Sequence, residues 1–344
     1  MKSNNSSISK DTKFFKNIKK KINDVTYKSI VPSVLKNIKY NKKFSLNGKS
    51  IKELRNYNIK KKNAIIVGAG PSLRRNDQIK TIKKYHKKFL IIACDGSLFY
   101  LLSNNIIPDL VITFDPHPSR VIRWFGDLQL DEKSIKKDDY FARQDLEIMF
   151  NNELKMNKKI IKLFDKYSKK VKIAIGTSSS KKVVKRLVSS KAELYWWNPL
   201  LDDPNVNNSV SKKIYKINKL PMINTGGNVG ATAWMLADVL FNCKKIAMIG
   251  MDFAYYLDTP IKSTQYYDRL KKFTKEEDLK LFYTKIYNPN LKKYFYTDHV
   301  YAWYKKCMME MISNSRSKTF NCTGGGILFG PKIGWTSLIK FCKN

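Results

Sequence analysis

The segment Ala64-Ile-Ile-Val-Gly-Ala-Gly-Pro-Ser-Leu73 decides the fold of this 344-residue chain. Its apolar run is typical of a strand buried on both faces, and parallel α/β sheets bind ligands where such strands end. Gly68 and Gly70 would let the backbone approach a phosphate closely. Pro71 would set the turn, and Ser72 would cap the next helix. We expect this turn to hold the phosphate end of a nucleotide or nucleotide-activated substrate; a tight turn without a ligand is the alternative.

Further apolar runs follow along the chain and are separated by segments of helical length. The runs occupy residues 89–93, 110–114, 171–175, 194–197 and 246–249, and the helical segments include 76–86, 96–104 and 229–241. Continuous apolar runs alternating with helices indicate a parallel sheet covered on both faces. The predicted class is therefore α/β, with a Rossmann-like, mostly parallel sheet, helices on both faces, a helical insertion and a helical C-terminal cap.

Changes of composition divide the chain into three parts. Residues 1–62 form a basic, helical N-terminal extension, and residues 63–260 form a Rossmann-like nucleotide-binding core. A mostly helical insertion interrupts this core at about 116–170, where the strand rhythm stops. Residues 261–344 show no clear strand rhythm and are rich in Tyr, Phe and Lys, so we predict a helical lid that completes the active site.

The charge balance is extreme. Lys and Arg number 66 against 28 Asp and Glu, which gives a formal net charge of +38. Compositional drift, an acidic substrate or membrane face, and nucleic-acid binding remain open explanations. Because Lys greatly outnumbers Arg and no known binding module is present, we expect no specific nucleic-acid partner.

The N-terminal extension is the most basic part of the chain. Residues 1–62 contain 18 Lys and Arg against 3 Asp and Glu, and Phe14, Phe15, Ile18 and Ile22 have the spacing of an amphipathic helix. Such a helix either packs on the core with its lysines in solvent or binds an anionic membrane surface. Both interpretations stay open.

The cysteines and the apolar segments indicate where in the cell the protein is expected. Five scattered cysteines (Cys94, Cys243, Cys307, Cys322 and Cys342) form no CxxC pair, which argues against a disulfide framework and a zinc site and suits a reducing cytosol. The chain begins with polar and basic residues, and no run approaches the roughly 20 apolar residues of a spanning helix. We expect a cytoplasmic protein, with peripheral contact at the inner membrane face as an extension of that expectation.

Two more strand ends carry polar residues. Asp95, Gly96 and Ser97 follow the second strand, where Asp95 could accept a hydrogen bond from a ribose hydroxyl or base amine. Asp115 ends the third strand and could hold a metal, orient a sugar hydroxyl or act as a base. His117 follows between two prolines, in a loop that is as compatible with a structural as with a catalytic role.

Later motifs extend the same edge. Gly226, Gly227 and Asn228 precede an apolar helix, and Asp252 follows the strand after it. In the predicted cap, tyrosine hydroxyls could bind a phosphate leaving group, and His299 has a side chain suited to a general base. The cap candidates are Tyr294, Tyr296, His299 and Thr323, and a surface histidine beside Asp298 is the alternative for His299.

Taken in order, these motifs resemble the 6-hydroxymethylpterin diphosphokinase MptE-like family. The motifs lie at residues 68–73, 93–118, 225–255 and 321–326, and the resemblance covers roughly 60–330. This family also supplies the central domain of motility accessory factors, which are implicated in flagellin glycosylation with nonulosonic acids. A more distant similarity joins the chain to Campylobacter-type sialyltransferases, which share the order of turn, Gly-x-Asp-Phe strand end, tyrosine lid and histidine.

The resemblance implies transfer of a sugar from a nucleotide donor, most plausibly a CMP-activated nonulosonic acid. His299 would then be the base, Tyr294 and Tyr296 would stabilise the leaving phosphate, and the two glycine motifs would hold the nucleotide. The family pattern often has Glu where Gly324 stands, and the sialyltransferase pattern has Asn where Asp95 stands, so substrate contacts at these two positions would differ here.

Two other functions compete with glycosyl transfer. Diphosphate transfer from ATP to a hydroxymethylpterin would need Mg²⁺, for which Asp115 and Asp95 are the candidate ligands, and 196–198 (Trp-Trp-Asn) would form a slot for the flat pterin. A non-catalytic nucleotide-binding protein is the third possibility. No cofactor is certain beyond the Mg²⁺ of the diphosphokinase alternative.

Overall fold

A computed structural model describes residues 31–57, 60–138, 140–141, 152–272 and 275–344. The strands of its main sheet are β1 (Lys49–Ser50), β2 (Asn63–Val67), β3 (Leu90–Cys94), β4 (Leu110–Thr113), β5 (Lys172–Gly176), β6 (Glu193–Leu200), β7 (Met222–Asn224) and β8 (Lys245–Ile249), joined near the end of the chain by β11 (Lys318–Asn321) and β12 (Ile333–Trp335). Residues 283–298 form a separate hairpin of β9 (Tyr283–Asn288) and β10 (Lys293–Asp298).

All pairings in the main sheet are parallel, and its order is β1-β6-β5-β4-β3-β2-β8-β11-β12, with β7 paired to the far end of β6. The order reverses at β2: β3 to β6 lie on one side of it and β8 on the other. In open parallel sheets the carboxyl ends of the strands flanking such a reversal border the ligand crevice. A ligand crevice is therefore expected at the ends of β2 and β8.

Helices pack on the sheet and alternate with most of its strands along the chain. The helices are α1 (31–45), α2 (Ser72–Arg75), α3 (Ile79–Tyr85), α4 (Asp95–Ser103), α5 (Glu132–Lys137), α6 (Glu153–Tyr167), α7 (Lys181–Ser189), α8 (Val210–Asn218), α9 (Val229–Met235), α10 (Tyr267–Lys271), α11 (His299–Ser313) and α12 (Leu338–Lys343). A π-helical stretch, Leu236–Leu240, continues α9.

The core consists of two apolar layers, one on each face of the sheet. Alternate residues of β2 belong to different layers: Ile65 and Val67 join one cluster, and Ala64 and Ile66 join the other. Side chains alternate between faces along a strand, so a continuous apolar run is what a doubly covered strand requires. The α/β, Rossmann-like class predicted from these runs is confirmed.

The C-terminal region differs from the predicted helical cap. Residues 261–344 contain helices α10, α11 and α12, but they also form the β9–β10 hairpin and two strands of the main sheet, β11 and β12. These strands are three to six residues long and rich in Lys, Tyr, Thr and Asn, so they lack the apolar runs by which the other strands were recognised. The proposed domain boundaries stay a prediction.

The insertion and the extension are described in part. Within 116–170 the structure contains a 3₁₀ segment, Val121–Phe125, and helices α5 and α6, while residues 142–151 lie outside the described residues. The predicted amphipathic helix around Phe14–Ile22 also lies outside them. Residues 31–45 form α1, which buries Val34 and Ile38 against Ile214 of α8. None of the helices in the described part of the chain has the length and apolar character needed to cross a bilayer.

Candidate functional site

The ends of β2 and β8 are in direct backbone contact. The Gly68 amide donates to Ile249 O at 2.8 Å, and the Gly70 amide donates to Gly250 O at 2.9 Å. A Cβ at Gly68 would lie 2.3 Å from Gly250 O, which is closer than any side-chain carbon can approach. The glycines of the first motif are therefore required by the packing of the two central strand ends, whether or not a ligand binds there.

Asp252 ties the first motif to the strand end after β8. Its side chain is buried, and Oδ2 accepts a hydrogen bond from the Ser72 amide at 3.0 Å. Burial raises the pKa of Asp252 to about 6, against the opposing effect of hydrogen bonds from Ser72. Oδ1 has no hydrogen-bond partner among the described residues. The amides of Gly68, Gly70 and Ser72 are thus all used inside the protein, and Asp252 keeps one acceptor oxygen for another donor.

Asp95 lies on the adjacent strand end, after β3. Its Oδ2 accepts from the Thr113 hydroxyl at 2.9 Å, and its Oδ1 accepts from the Gly96 amide at 2.8 Å. Burial raises the pKa of Asp95 to about 7, and the negative charge of Asp115 adds to the shift. Ser97 has a structural part, because its hydroxyl donates to Val67 O and Cys94 O and so links the ends of β2 and β3.

Asp115 and His117 form a turn after β4. Asp115 is exposed, and its Oδ1 accepts from the His117 amide at 2.7 Å. His117 is half-buried, and its Nδ1 accepts from the Ser119 amide at 3.3 Å. Burial, together with the nearby Arg120 guanidinium, lowers the pKa of His117. Asp115 is thus an exposed carboxylate beside a histidine that favours the neutral form.

Helix α1 holds this turn and the loop after β5. The Asn37 amide donates to Pro116 O at 3.2 Å and to Ser178 O at 2.9 Å. The buried Asn41 amide donates to Thr177 O at 2.9 Å and to Ser179 O at 2.8 Å. The two asparagines lie one helical turn apart, so α1 satisfies carbonyl groups of both loops. Sequence reasoning missed this role, although the Asn-x-x-x-Asn spacing in α1 was visible.

The second glycine motif lies under α11. Gly226 and Gly227 have φ angles of +52° and +81°, and the Asn228 side chain caps α9 by accepting from the Ala231 amide at 2.9 Å. A Cβ at Gly227 would lie 2.5 Å from the Trp303 ring. The loop therefore needs glycine for both its left-handed backbone and its contact with α11.

Thr323 and the glycines after it close the other side of the β8 loop. The buried Thr323 hydroxyl accepts from the Met251 amide at 3.3 Å. Gly326, at φ +81°, approaches the backbone of Asp252. Thr323 thus supports the β8 strand end from the neighbouring strand β11.

The structure separates the remaining cap candidates. Tyr294 is half-exposed on the β9–β10 hairpin, where its ring packs on Tyr287 at 5.0 Å. The Tyr296 hydroxyl donates to Thr259 O, and its ring packs on Tyr255 at 5.3 Å. Tyr296 therefore has a backbone partner already, and Tyr294 lies on the outer surface of the hairpin.

His299 is the first residue of α11, after Asp298, whose carboxylate caps the helix. Its ring packs on Phe282 at 6.3 Å between ring centroids. A helix turns about 100° per residue, so His299 shares a stripe with the exposed Trp303 and Lys306, but both ring nitrogens of His299 are themselves buried. Tyr301 lies on the opposite stripe. The role of His299 as a base stays a prediction.

A cluster of buried hydroxyls that sequence reasoning missed lies among three separate segments. The Gln265 amide donates to the Tyr140 hydroxyl at 3.0 Å and its carbonyl accepts from Tyr301, while the Tyr266 hydroxyl donates to Tyr304 at 3.3 Å. We call these five residues the tyrosine cluster. Burial raises the pKa values of Tyr266 and Tyr301 well above the usual tyrosine range, so both remain hydrogen-bond donors at neutral pH.

The tyrosine cluster and the strand-end carboxylates act on one another. After burial, the charge of Asp115 is the next cause that raises the pKa of Tyr140, and Asp95 contributes too. Burial and then the charge of Asp298 are the main causes that raise the pKa of Tyr301, and Asp252 adds to them. Acids from three strand ends therefore act on hydroxyls of the insertion and α11. The only sequence signal for this was the Tyr301–Tyr304 spacing, which places two tyrosines on one face of a helix.

The predicted pterin slot is wrong. Trp196 and Trp197 are fully buried, in opposite core layers, because β6 is covered on both faces. The Asn198 amide is used by Asn218 and by Leu220 O. Among the described residues, no group of three or more His, Cys, Asp or Glu side chains is placed to hold a metal ion. The assignment of Mg²⁺ to Asp95 and Asp115 stays a prediction.

Comparison with known proteins identifies a family match within the first part of the chain. A model of the 6-hydroxymethylpterin diphosphokinase MptE-like family matches residues 32–129. The chain contains an MptE-like segment. This segment runs from α1 through the Gly68 turn, Asp95 and Asp115, so it includes three of the strand ends described above, and the family resemblance is confirmed over these residues.

Among solved structures, the MAf glycosyltransferase of Magnetospirillum magneticum AMB-1 is similar to this chain. The alignment covers 81% of the chain, with 14% sequence identity and a TM-score of 0.49. The chain spans about a third of that protein's length, since 34% of it is covered. No curated protein matches the chain.

Proposed function

We propose that this protein is a glycosyltransferase that uses a nucleotide-activated acidic sugar. The tyrosine cluster is the observation that carries the proposal. Loss of a nucleotide from a sugar places negative charge on the leaving phosphate, and pre-placed neutral donors stabilise such charge effectively in a buried site. Burial keeps Tyr301 and Tyr266 protonated, and in this proposal their hydroxyls exchange their present acceptors, Gln265 and Tyr304, for the leaving phosphate.

The strand-end acids supply the remaining functions in this proposal. Asp252 Oδ1 and the Asp95 carboxyl would accept hydrogen bonds from ribose hydroxyls or a base amine, since Oδ1 is buried without a partner among the described residues. Asp115 is exposed, and its charge acts on Tyr140. We therefore favour Asp115 over His299 as the group that takes the proton of the acceptor hydroxyl.

Diphosphate transfer from ATP is the second candidate, and one observation favours it. The charge of Asp115 raises the pKa of Asp95, so two carboxylates from neighbouring strands lie near each other at the crevice. Carboxylates in this arrangement suit Mg²⁺ bound to a nucleotide diphosphate or triphosphate. The loss of the predicted pterin slot removes one of the two arguments for this candidate.

A ligand panel separates the candidates. We expect CMP to raise the melting temperature of the full chain without metal, and ATP to have little effect with or without Mg²⁺. Stabilisation by ATP only in the presence of Mg²⁺ would favour diphosphate transfer instead. Absence of a shift with CMP, CDP, ATP and GTP would contradict both enzymatic candidates.

A matched pair of tyrosine variants tests the mechanism. Tyr301→Phe keeps the ring but removes the hydroxyl, and we expect it to slow release of CMP from CMP-N-acetylneuraminic acid by roughly 10²-fold. Tyr294→Phe, on the exposed face of the hairpin, should leave the rate unchanged. Equal rates in both variants and the wild type would rule out the tyrosine cluster. His299→Ala and Asp115→Asn in the same assay compare the two candidate bases.

A further inference from the structure

A cavity of about 790 Å³ lies beside the turn after β4, next to the crevice. Its size is that of a site for a ligand as large as a sugar phosphate. The lining residues come from the turn, from the 3₁₀ segment after it, from the end of α5 and from α10, and they include His117, Arg120, Lys137, Asp138, Lys271 and Lys272. The Arg120 guanidinium lies 4.1 Å from the centre of the Tyr140 ring, so the cavity adjoins the tyrosine cluster.

Five basic side chains face two acidic ones in this lining, and the arginines are already paired. Arg120 makes a bidentate ion pair with Asp138, at 2.9 and 3.1 Å. The buried Arg123 binds Glu153 at 2.5 Å. These pairs fix the arginines as the wall of the cavity and leave the lysines to balance the charge of a ligand.

The lysines that line the cavity are the positive groups that can bind an anionic ligand. Lys137 and Lys272 are exposed, and neither makes an ion pair with any residue that the structure describes. Lys271 makes a long ion-pair contact of 3.8 Å with Glu276 and lies 5.9 Å from the centre of the Tyr267 ring, and the side chains of Lys271 and Glu276 are mostly exposed. Lysine ammonium groups bind phosphate as mobile point charges, whereas a single carboxylate is usually met by one arginine fork.

The cavity also offers a neutral donor. The Ser119 amide donates to His117 Nδ1, so a neutral His117 carries its proton on Nε2. Burial lowers the pKa of His117 and favours this neutral form. Free lysines together with a neutral imidazole donor match a group with several anionic oxygens better than they match an apolar ligand.

We propose that this cavity binds the phosphate or diphosphate group of a second ligand, separate from the nucleotide in the crevice. Its identification as the acceptor substrate rests on the proposed function, because the cavity opens beside Asp115, at His117. Binding itself does not depend on that function. The protein would then take a phosphorylated acceptor, with its anionic end among Lys137, Lys271 and Lys272.

Titration calorimetry of the full chain with inorganic diphosphate tests the proposal. At about 0.15 M ionic strength, where long-range attraction is screened, we expect saturable binding. Lys137→Ala/Lys272→Ala should weaken this binding roughly tenfold. The control Lys136→Ala/Lys275→Ala removes the same charge from neighbouring exposed positions that do not line the cavity, and it should bind like the wild type.

Equal weakening in the two double variants would overturn the proposal, because it would assign binding to the net charge of +38. Undiminished binding by Lys137→Ala/Lys272→Ala would also overturn it, by placing the diphosphate in the crevice or elsewhere. The nucleotide melting panel keeps this result apart from the proposed function. Diphosphate binding that depends on the cavity lysines, together with no stabilisation by any nucleotide, would support the proposed diphosphate site and contradict the proposed function.

Discussion

Asp252 occupies the position at which the first motif was expected to bind a phosphate. Its carboxylate accepts from the Ser72 amide, the donor that a phosphate at the start of α2 would use. A phosphate placed there would face the Asp252 carboxylate, and two hydrogen-bond acceptors without a hydrogen between them repel each other. The oxygen left over on Asp252 instead suits a hydroxyl or an amine, so the neutral parts of a nucleotide fit this end of the crevice better than its phosphate does.

Asp95 gives a pH-dependent prediction. Its folded pKa of about 7 lies above the ordinary value of 3.8, so the stability linked to this group is complete below about pH 4 and is lost as the pH rises through 7. In Asp95→Asn, the amide can keep the contacts with Gly96 and Thr113 but cannot ionise. Between about pH 5 and pH 8, we expect the free energy of unfolding of the wild type to fall by about 2 kcal/mol more than that of the variant.

Urea unfolding at both pH values measures this difference. Asp203→Asn is the control, because Asp203 is exposed and its carboxylate accepts a hydrogen bond only from the Asn205 amide among the described residues. Parallel pH profiles for wild type and Asp95→Asn would show that Asp95 is already ionised across this range in the folded protein, so that burial does not raise its pKa.

Strand ends could be predicted at the residue scale, but their partners could not. Asp95 and Asp115 follow apolar runs that mark buried strands, so their shared edge followed from sequence alone. Ser72, by contrast, bonds to Asp252, which is 180 residues away. No local pattern announces such a contact, and for this reason the amides predicted for a ligand proved to be used within the fold.

At the scale of elements, α1 belongs to the folded unit and supports the site. From the sequence, only the buried face of α1 could be predicted, because Val34 and Ile38 lie one helical turn apart. Its asparagines face the loops after β4 and β5, and their hydrogen bonds depend on where the sheet places these loops. The short strands β11 and β12 escaped prediction for a similar reason, since neither contains an apolar run and their pairing comes from neighbouring strands.

Helix α1 supplies the second prediction of stability. Asn41→Ala removes the donors to Thr177 O and Ser179 O and leaves two buried carbonyl groups without them. We expect a loss of about 2 kcal/mol in the free energy of unfolding, measured in urea. Asn47→Ala, at an exposed position of the following loop, should cost less than about 0.5 kcal/mol. Equal losses at the two positions would contradict the supporting role of α1.

At the scale of the whole molecule, self-repulsion follows from the net charge of +38. Most of the positive groups are exposed lysines, and solvent-exposed charges are screened by salt. We expect the melting temperature to rise by several degrees between about 0.02 M and about 0.2 M ionic strength. Sodium chloride and choline chloride should act alike if screening is the cause. A melting temperature that stays constant or falls would show that attractive ion pairs outweigh the repulsion.

The reversal of strand order at β2 also has a consequence for how the chain is made. During synthesis, β2 to β6 emerge first and can pair side by side, but β8 follows about 180 residues after β2. Until it arrives, β2 is an open edge of apolar residues, which is the kind of surface that recruits foreign strands. The crevice between β2 and β8 does not exist in that interval. The nascent protein is therefore most exposed to misassembly, and most dependent on chaperones, at the place where its site will later form.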